Sequence, residues 1–175
     1  MKRLQKLAIV FTLMAAMTAT MFGCNQSEQK KAFRAYSISL QDDSELWNTI
    51  SEAANKTDTR DLTATKAVIQ ASIIPNLNKL QQNAAQRNSA IADPELQQVD
   101  AKYVSCINNL KEGYALILSG IDNKDTNTIQ TAIVRINGAL DDMKGYVTGM
   151  KSYMNKYGIK KDDSLDDVLN KLNSL

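Results

Sequence analysis

Between residues 129 and 157 the chain sets an apolar side chain at every fourth and third position in turn: Ile129, Ile133, Ile136, Leu140, Met143, Val147, Met150, Met154 and Tyr157. Only a helix gathers such positions onto one face, and a helix of this length runs on the order of 43 Å. A rod that long must bury its stripe against other rods of similar length. This fourth amphipathic segment therefore dictates the architecture, and its period of 3.5 predicts shallow, left-handed crossings.

Three earlier segments supply the partners. The first carries Phe33, Tyr36, Leu40, Asp43, Trp47, Ile50 and Ala54 on one face and closes in the polar run 55–59. The second opens near Asp61 and continues through Leu62, Ile69, Ile73, Leu77, Leu80, Ala84 and Ile91. Pro75 falls inside it, lacks an amide donor and crowds the preceding turn, which predicts a kink. The third begins at Asp93 as cap, Pro94 in the first helical position and Glu95 at the positive helix end. Leu96, Val99, Tyr103, Cys106, Leu110, Tyr114, Ile117 and Ile121 follow on one face, and the polar turn 122–127 ends it. Gly158 is placed to stop the fourth segment in a left-handed cap. Ser164, with Asp167 three residues on, opens a last short helix that carries Leu165, Val168 and Leu172. The chain thus reads as all-α: an up-down-up-down four-helix bundle over residues 32–175, with a short additional C-terminal helix. Only 7 glycines and 2 prolines punctuate it, as long helices require.

Composition narrows the chemistry. There is no histidine, which removes the commonest general base and metal ligand and excludes Ser-His-Asp and Cys-His catalysis. The 21 basic and 19 acidic side chains nearly balance, and no concentrated basic face is visible for nucleic acid. Asp162, Asp163, Asp166 and Asp167 lack the alternating ligands, glycine and terminal Glu of a calcium loop, and the 122–127 turn fails the same test. No metal site and no catalytic residue is expected.

The N-terminus carries the most specific signal. Lys2, Arg3 and Lys6 precede an apolar run from Leu7 to Met17, which fades into Met21-Phe22-Gly23-Cys24. Positive charge stays on the cytoplasmic side while the apolar stretch enters the membrane. These residues resemble a bacterial lipoprotein signal, whose lipobox sets an aliphatic residue, a small residue, Gly or Ala, and then Cys. Met21 stands where Leu is usual and Phe22 where a smaller residue is usual. The resemblance implies a signal peptide at 1–23, a covalent diacylglycerol and acyl lipid on Cys24, and a polar tether at 24–31. It places the protein outside the cytoplasm, lipid-anchored to the cell membrane or the outer membrane. No other cofactor is implied. The punctuation at Ile91-Ala92-Asp93-Pro94-Glu95-Leu96, with Tyr103 and the Asn123-Lys124-Asp125 turn, is similar to that of small helical lipoproteins of Firmicutes, from which no functional residue carries over.

Few residues in the helical part stand out. Cys106 occupies a core position and reads as packing rather than a reactive thiol. Met143, Met150 and Met154 read as fillers of irregular core space. Asp43 shares a stripe with Trp47, but a fully buried Asp is rare, so its carboxylate is expected to be wet, with no second carboxylate placed to pair with it. Gly138, Gly145 and Gly149 lie off the apolar stripe, where each costs about 1 kcal/mol relative to Ala. They read either as a smooth groove for another backbone or as tolerated weakness. With Tyr146 and Tyr153 taken as exposed, they form the candidate partner surface. The function expected is that of a non-catalytic, membrane-anchored bundle binding a protein partner or envelope component. The alternative is a receptor holding a small apolar or lipid-like ligand between helices near Pro75 and the methionines.

Overall fold

The computed structural model describes residues 27–58 and 60–159, and the regular elements among them are all helical. They are α1 (Glu28–Ser39), α2 (Gln41–Asn55), α3 (Leu62–Val68), a π turn (Ile69–Ile73), α4 (Ile74–Ala90), α5 (Pro94–Asn123) and α6 (Thr126–Lys156). The expected leader, Cys24, and the short helix expected at 164–175 lie outside the described residues.

Helix ends follow local chemistry. Asp93 accepts from the Leu96 amide at 2.9 Å and Pro94 fills the first turn of α5, as expected. Asp61 caps α3 through the Ala64 amide and Asp125 caps α6 through the Asn127 amide. Gly158, at φ +59°, ends α6 with paired bonds from Gly158 N to Asn155 O and from Ile159 N to Met154 O. That is the left-handed stop the sequence indicated. Lys124 makes the same stop for α5 without a glycine, at φ +53°.

Two boundaries differ from the sequence reading. Glu28–Lys31, assigned to the tether, form the first turn of α1, with the Ser27 side chain as cap. The first apolar stripe is divided at Leu40, whose backbone ends α1 in a tight turn and starts α2 without a side-chain cap.

At Pro75 the expected distortion takes the form of a π turn. Proline has no amide to give and its ring crowds the carbonyl four residues back. The chain answers by widening the register just upstream, with Ile74 N bonding to Ile69 O. Asn76 Nδ2 donates to the Ser72 carbonyl at 2.7 Å. Ile69, Ile73, Leu77 and Leu80 all stay buried across the irregularity.

The pairings are antiparallel along the chain. Gln81 meets Asn108 and Asn88 meets the start of α5, so α4 runs against α5. Val99 faces Gly149 and Gly113 faces Ile136, so α5 runs against α6 along most of their lengths. Phe33 stacks on Tyr153 while Tyr36 reaches Tyr146, so α6 returns against α1. One continuous apolar core joins the elements, with Cys106, Met143 and Met150 fully inside it.

The glycines that let helices approach are Gly113 and Gly120 on α5. A Cβ at Gly113 would lie 2.6 Å from Ile136 Cγ1 and 3.2 Å from the Ala132 carbonyl. At Gly138 the nearest atom to an added Cβ is Asn109 Nδ2, 3.9 Å away. Gly113→Ala should therefore lose about 1–3 kcal/mol through overpacking. Gly138→Ala should gain about 0.5–1 kcal/mol from a stiffer unfolded chain and better helix propensity. Urea unfolding of the two variants checks this, and equal effects would show that close approach at Gly113 does not set the α5–α6 spacing.

Candidate functional site: a buried ionic cluster

Three charged side chains sit inside the core where apolar residues would be expected. Asp43 lies in the first turn of α2, Arg87 in the last turn of α4 and Asp100 near the start of α5. The helix ends favour Asp43 and Arg87, since an uncapped N-terminus attracts an anion and a C-terminus a cation, whereas Asp100 lies in the second turn of α5, beyond its Asp93 cap. Their side chains are 2%, 4% and 0% exposed, so all three are cut off from water.

Arg87 links the two carboxylates. Its Nη1 donates to Asp43 Oδ2 at 2.8 Å, and its Nε donates to Asp100 Oδ1 at 3.3 Å. Around this bridge the two acids have matching surroundings. Asp43 also accepts from Tyr103 Oη at 2.8 Å and Asn83 Nδ2 at 3.0 Å. Asp100 also accepts from Tyr36 Oη at 2.7 Å and Asn88 Nδ2 at 3.0 Å. Each carboxylate thus receives one guanidinium arm, one phenol and one amide, as a buried anion requires, while the buried Arg87 Nη2 is left without a hydrogen-bond partner.

The hydrogen bonds extend outward in two relays. Trp47 Nε1 donates to Tyr103 Oη at 2.7 Å, and the Tyr103 hydroxyl donates in turn to Asp43. The Tyr146 and Tyr36 hydroxyls lie 2.9 Å apart, and because Tyr36 donates to Asp100, Tyr146 is the donor between them. The guanidinium carbon also lies 4.9 Å from the Tyr103 ring centre and 5.7 Å from that of Tyr36, a cation–π clamp. Residues from α1, α2, α4, α5 and α6 meet in this one cluster.

Electrostatics keep the protons where the geometry puts them. Burial raises the Tyr36 and Tyr103 hydroxyls well above the ordinary tyrosine range, and neighbouring acids add to it, chiefly Asp43 at Tyr103. Tyr146 is raised by burial as well. Burial alone disfavours the Arg87 charge, but Tyr103, Tyr36, Asp43 and Asp100 hold it protonated. With acceptors filled and solvent excluded, neither carboxylate is presented to a substrate. What the arrangement does is lock helices together.

Several expectations are corrected here. Asp43 is buried rather than wet, because Arg87 and Tyr103 compensate its charge. Asp100 is the second carboxylate that the sequence did not reveal. Tyr146 and Tyr153, expected on a partner surface, are 0% and 1% exposed: the Tyr146 hydroxyl is used in the cluster, and the Tyr153 ring is covered by Phe33. Of the three glycines, Gly149 packs on Val99, with an added Cβ 3.1 Å from both Val99 methyls, while Gly138 is half-buried and Gly145 exposed, with only the Asn109 and Lys102 side chains nearby. Cys106 is fully buried and its thiol is pushed up by desolvation, then by Asp142, in keeping with a packing role.

Elsewhere the structure offers little chemistry. No group of three acids and cysteines that could hold a metal occurs among the described residues. A groove of about 380 Å³ between α2 and the α3–π junction is lined by residues including Thr49, Glu52, Lys56, Ala71 and Ser72. No helix among the described residues is long and apolar enough to cross a membrane. In comparisons with protein-family models, curated proteins and solved structures, nothing matches this chain.

Two measurements test the lock. Arg87→Met strands two buried carboxylates and should cost about 3–5 kcal/mol in chemical denaturation, the range for breaking a buried ion pair. A loss under 1 kcal/mol would mean that water reaches the cluster. Stability should also fall as pH rises past 10, the ordinary tyrosine value. The unfolded chain releases its phenolic protons there while the folded chain retains them, so the unfolded state binds fewer protons and gains ground. Each retained proton contributes a slope of about 1.4 kcal/mol per pH unit. Tyr36→Phe should therefore be less stable at neutral pH but show a shallower alkaline slope in urea midpoints taken on either side of pH 10.

Proposed function

We propose that this chain is a lipid-anchored extracytoplasmic protein, held by acyl chains on Cys24, whose helical body acts without catalysis by binding a protein partner or envelope component. In this reading the four antiparallel segments form an up-down-up-down bundle. The observation that carries it is the order of the N-terminus: Lys2, Arg3 and Lys6, then the apolar run, then Gly23-Cys24. Several acyl chains anchor stably because each buried methylene contributes about 0.8 kcal/mol. The interior supports the non-catalytic part, since its ionised groups are committed to one another.

The partner face moves with the corrected geometry. Ile133 and Val134 on α6 are 44% and 68% exposed, side by side on a helix whose other apolar residues are largely covered. Exposed large apolar side chains offer a partner more apolar area to bury than glycines do. A photo-cross-linking side chain at Val134 in living cells should give a discrete adduct, lost when Ile133 is changed to Asp. Mass spectrometry of the mature N-terminus should find acylated Cys24. Recovery of monomer alone, or of an unmodified Cys24 thiol, would count against the respective half of the reading.

A second reading, a receptor for a small apolar or lipid-like molecule, draws on the groove beside the π turn. Its lining includes neither Pro75 nor Met150, where such a space was expected, and Glu52 and Lys56 make its rim polar. An apolar fluorescent probe that binds the protein and is excluded by Ala71→Phe would favour it. Unchanged probe binding in that variant would remove it.

A further inference from the structure

We propose that one end of the molecule, formed by the start of α1, the start of α5 and the end of α6, rests on the membrane surface, while the opposite end is carried about 45 Å outward, the length of α5. This rests on the anchored reading above. Its physical basis is how little chain separates the anchor from the folded body.

Ser27 caps α1, with its hydroxyl accepting from the Lys30 amide at 3.4 Å. The first turns of α1 are fastened to the last turns of α6: Phe33 stacks on Tyr153 at 6.2 Å, and Tyr153 Oη donates to the Gln29 carbonyl at 3.4 Å. Unravelling α1 to gain slack breaks these contacts. Only Asn25 and Gln26 lie between Cys24 and Ser27. Three Cα–Cα steps reach at most about 11 Å, roughly the diameter of a single helix with its side chains. A body several helices across cannot hang clear of a bilayer on so short a leash, so the end around Ser27 meets the headgroups.

The two ends differ in chemistry in the way this placement requires. Near the anchor α1 exposes Lys31 and Arg34 with Lys30 beside them, and α6 exposes Lys156 next to Tyr157. Glu28 and Glu95 answer Lys31 and Lys156, so among the described residues cations predominate where anionic headgroups would lie. An aromatic ring with a polar tip, such as Tyr157, suits the same boundary. At the far end the charges alternate in sign: Asp58 with Arg60, Asp122 with Lys66, and Asp125 after Lys124.

Depth-dependent quenching tests this. Full-length protein processed in its own cells is reconstituted into vesicles of phosphatidylcholine and phosphatidylglycerol that contain a nitroxide-headgroup lipid. A fluorophore is placed on Asn155→Cys or Asn123→Cys, exposed positions near opposite ends of the α5–α6 pair. Native Cys106 is buried and does not compete for the label. The Asn155 label should be quenched several-fold more than the Asn123 label. Equal quenching in protein whose Cys24 is shown by mass to be acylated overturns the upright placement while leaving the anchor intact, since the body then lies flat or stands off. Absence of acyl mass on Cys24 overturns the anchored reading, and the placement with it.

Discussion

A single guanidinium shared by two buried carboxylates is the constraint around which the other elements are arranged. Two acids and one base leave the cluster formally one charge short of neutral, and transferring such a group out of water is expensive. The expense is met by six donors, three to each acid, drawn from three different helices, α1, α4 and α5. A buried ion pair adds little net stability over a well-packed apolar core, but it is unforgiving about geometry. Sliding any helix by one residue turns its side chains by roughly 100° and takes its donor out of reach. In a core otherwise built of Leu, Ile, Met and Ala, which tolerates repacking, these polar partners fix the register.

The backbone irregularities serve that register. Ending α1 at Leu40 gives α2 its own N-terminus, and Asp43 sits in the first turn of it, where backbone amides favour an anion. A continuous helix from Glu28 to Asn55 would have offered Asp43 no such field. The π turn before Pro75 keeps Ile69 and Ile73 buried in line with Leu77 and Leu80, so the face of α4 that leads to Asn83 and Arg87 stays directed at the core. On α5, Gly113 and Gly120 let α6 come close enough for Ile136 and Ile129 to fill the space a methyl would take. Each local departure has an identifiable neighbour that it accommodates.

Elements governed by local chemistry were legible in the sequence. Asp93-Pro94 starts a helix and Gly158 stops one for reasons contained within a few residues, and the 3.5 period of α6 announces its buried face. What escaped depends on partners distant in the chain. Asp43, Arg87 and Asp100 each occupy a position on an apolar stripe, and judged singly each resembles a helix that has rotated to wet its charge. Their meaning lies in having opposite signs on three different helices at matching heights, which only a registered assembly displays. The same holds for Tyr146: its place beside the apolar stripe fits an exposed ring or a buried one, and the Tyr36 hydroxyl decides between them. Glycines off a stripe say nothing about what lies opposite: of Gly138, Gly145 and Gly149 only Gly149 meets a close neighbour, Val99, while the tightest approaches are at Gly113 and Gly120.

The position of the lock along the molecule bears on how an anchored body would behave. Tyr36, Arg87, Asp100 and Tyr146 all lie toward the end where α1 begins, α4 finishes and α5 starts. Among the described residues the far end lacks an equivalent, and its charged pairs sit on the outside; Leu62, Ile133 and Val134 expose apolar surface there, as Ile38 does beside the lock. A core of apolar contacts tolerates repacking, so the far end should adjust more readily than the end fixed by the ionic cluster. On the anchored reading, the rigid end is the one fastened to the lipid and the more adaptable end is the one presented outward. That ordering suits a binding module, because a partner meets the part of the body that can adjust to it, while the part that sets its orientation is held in register by the ionic cluster.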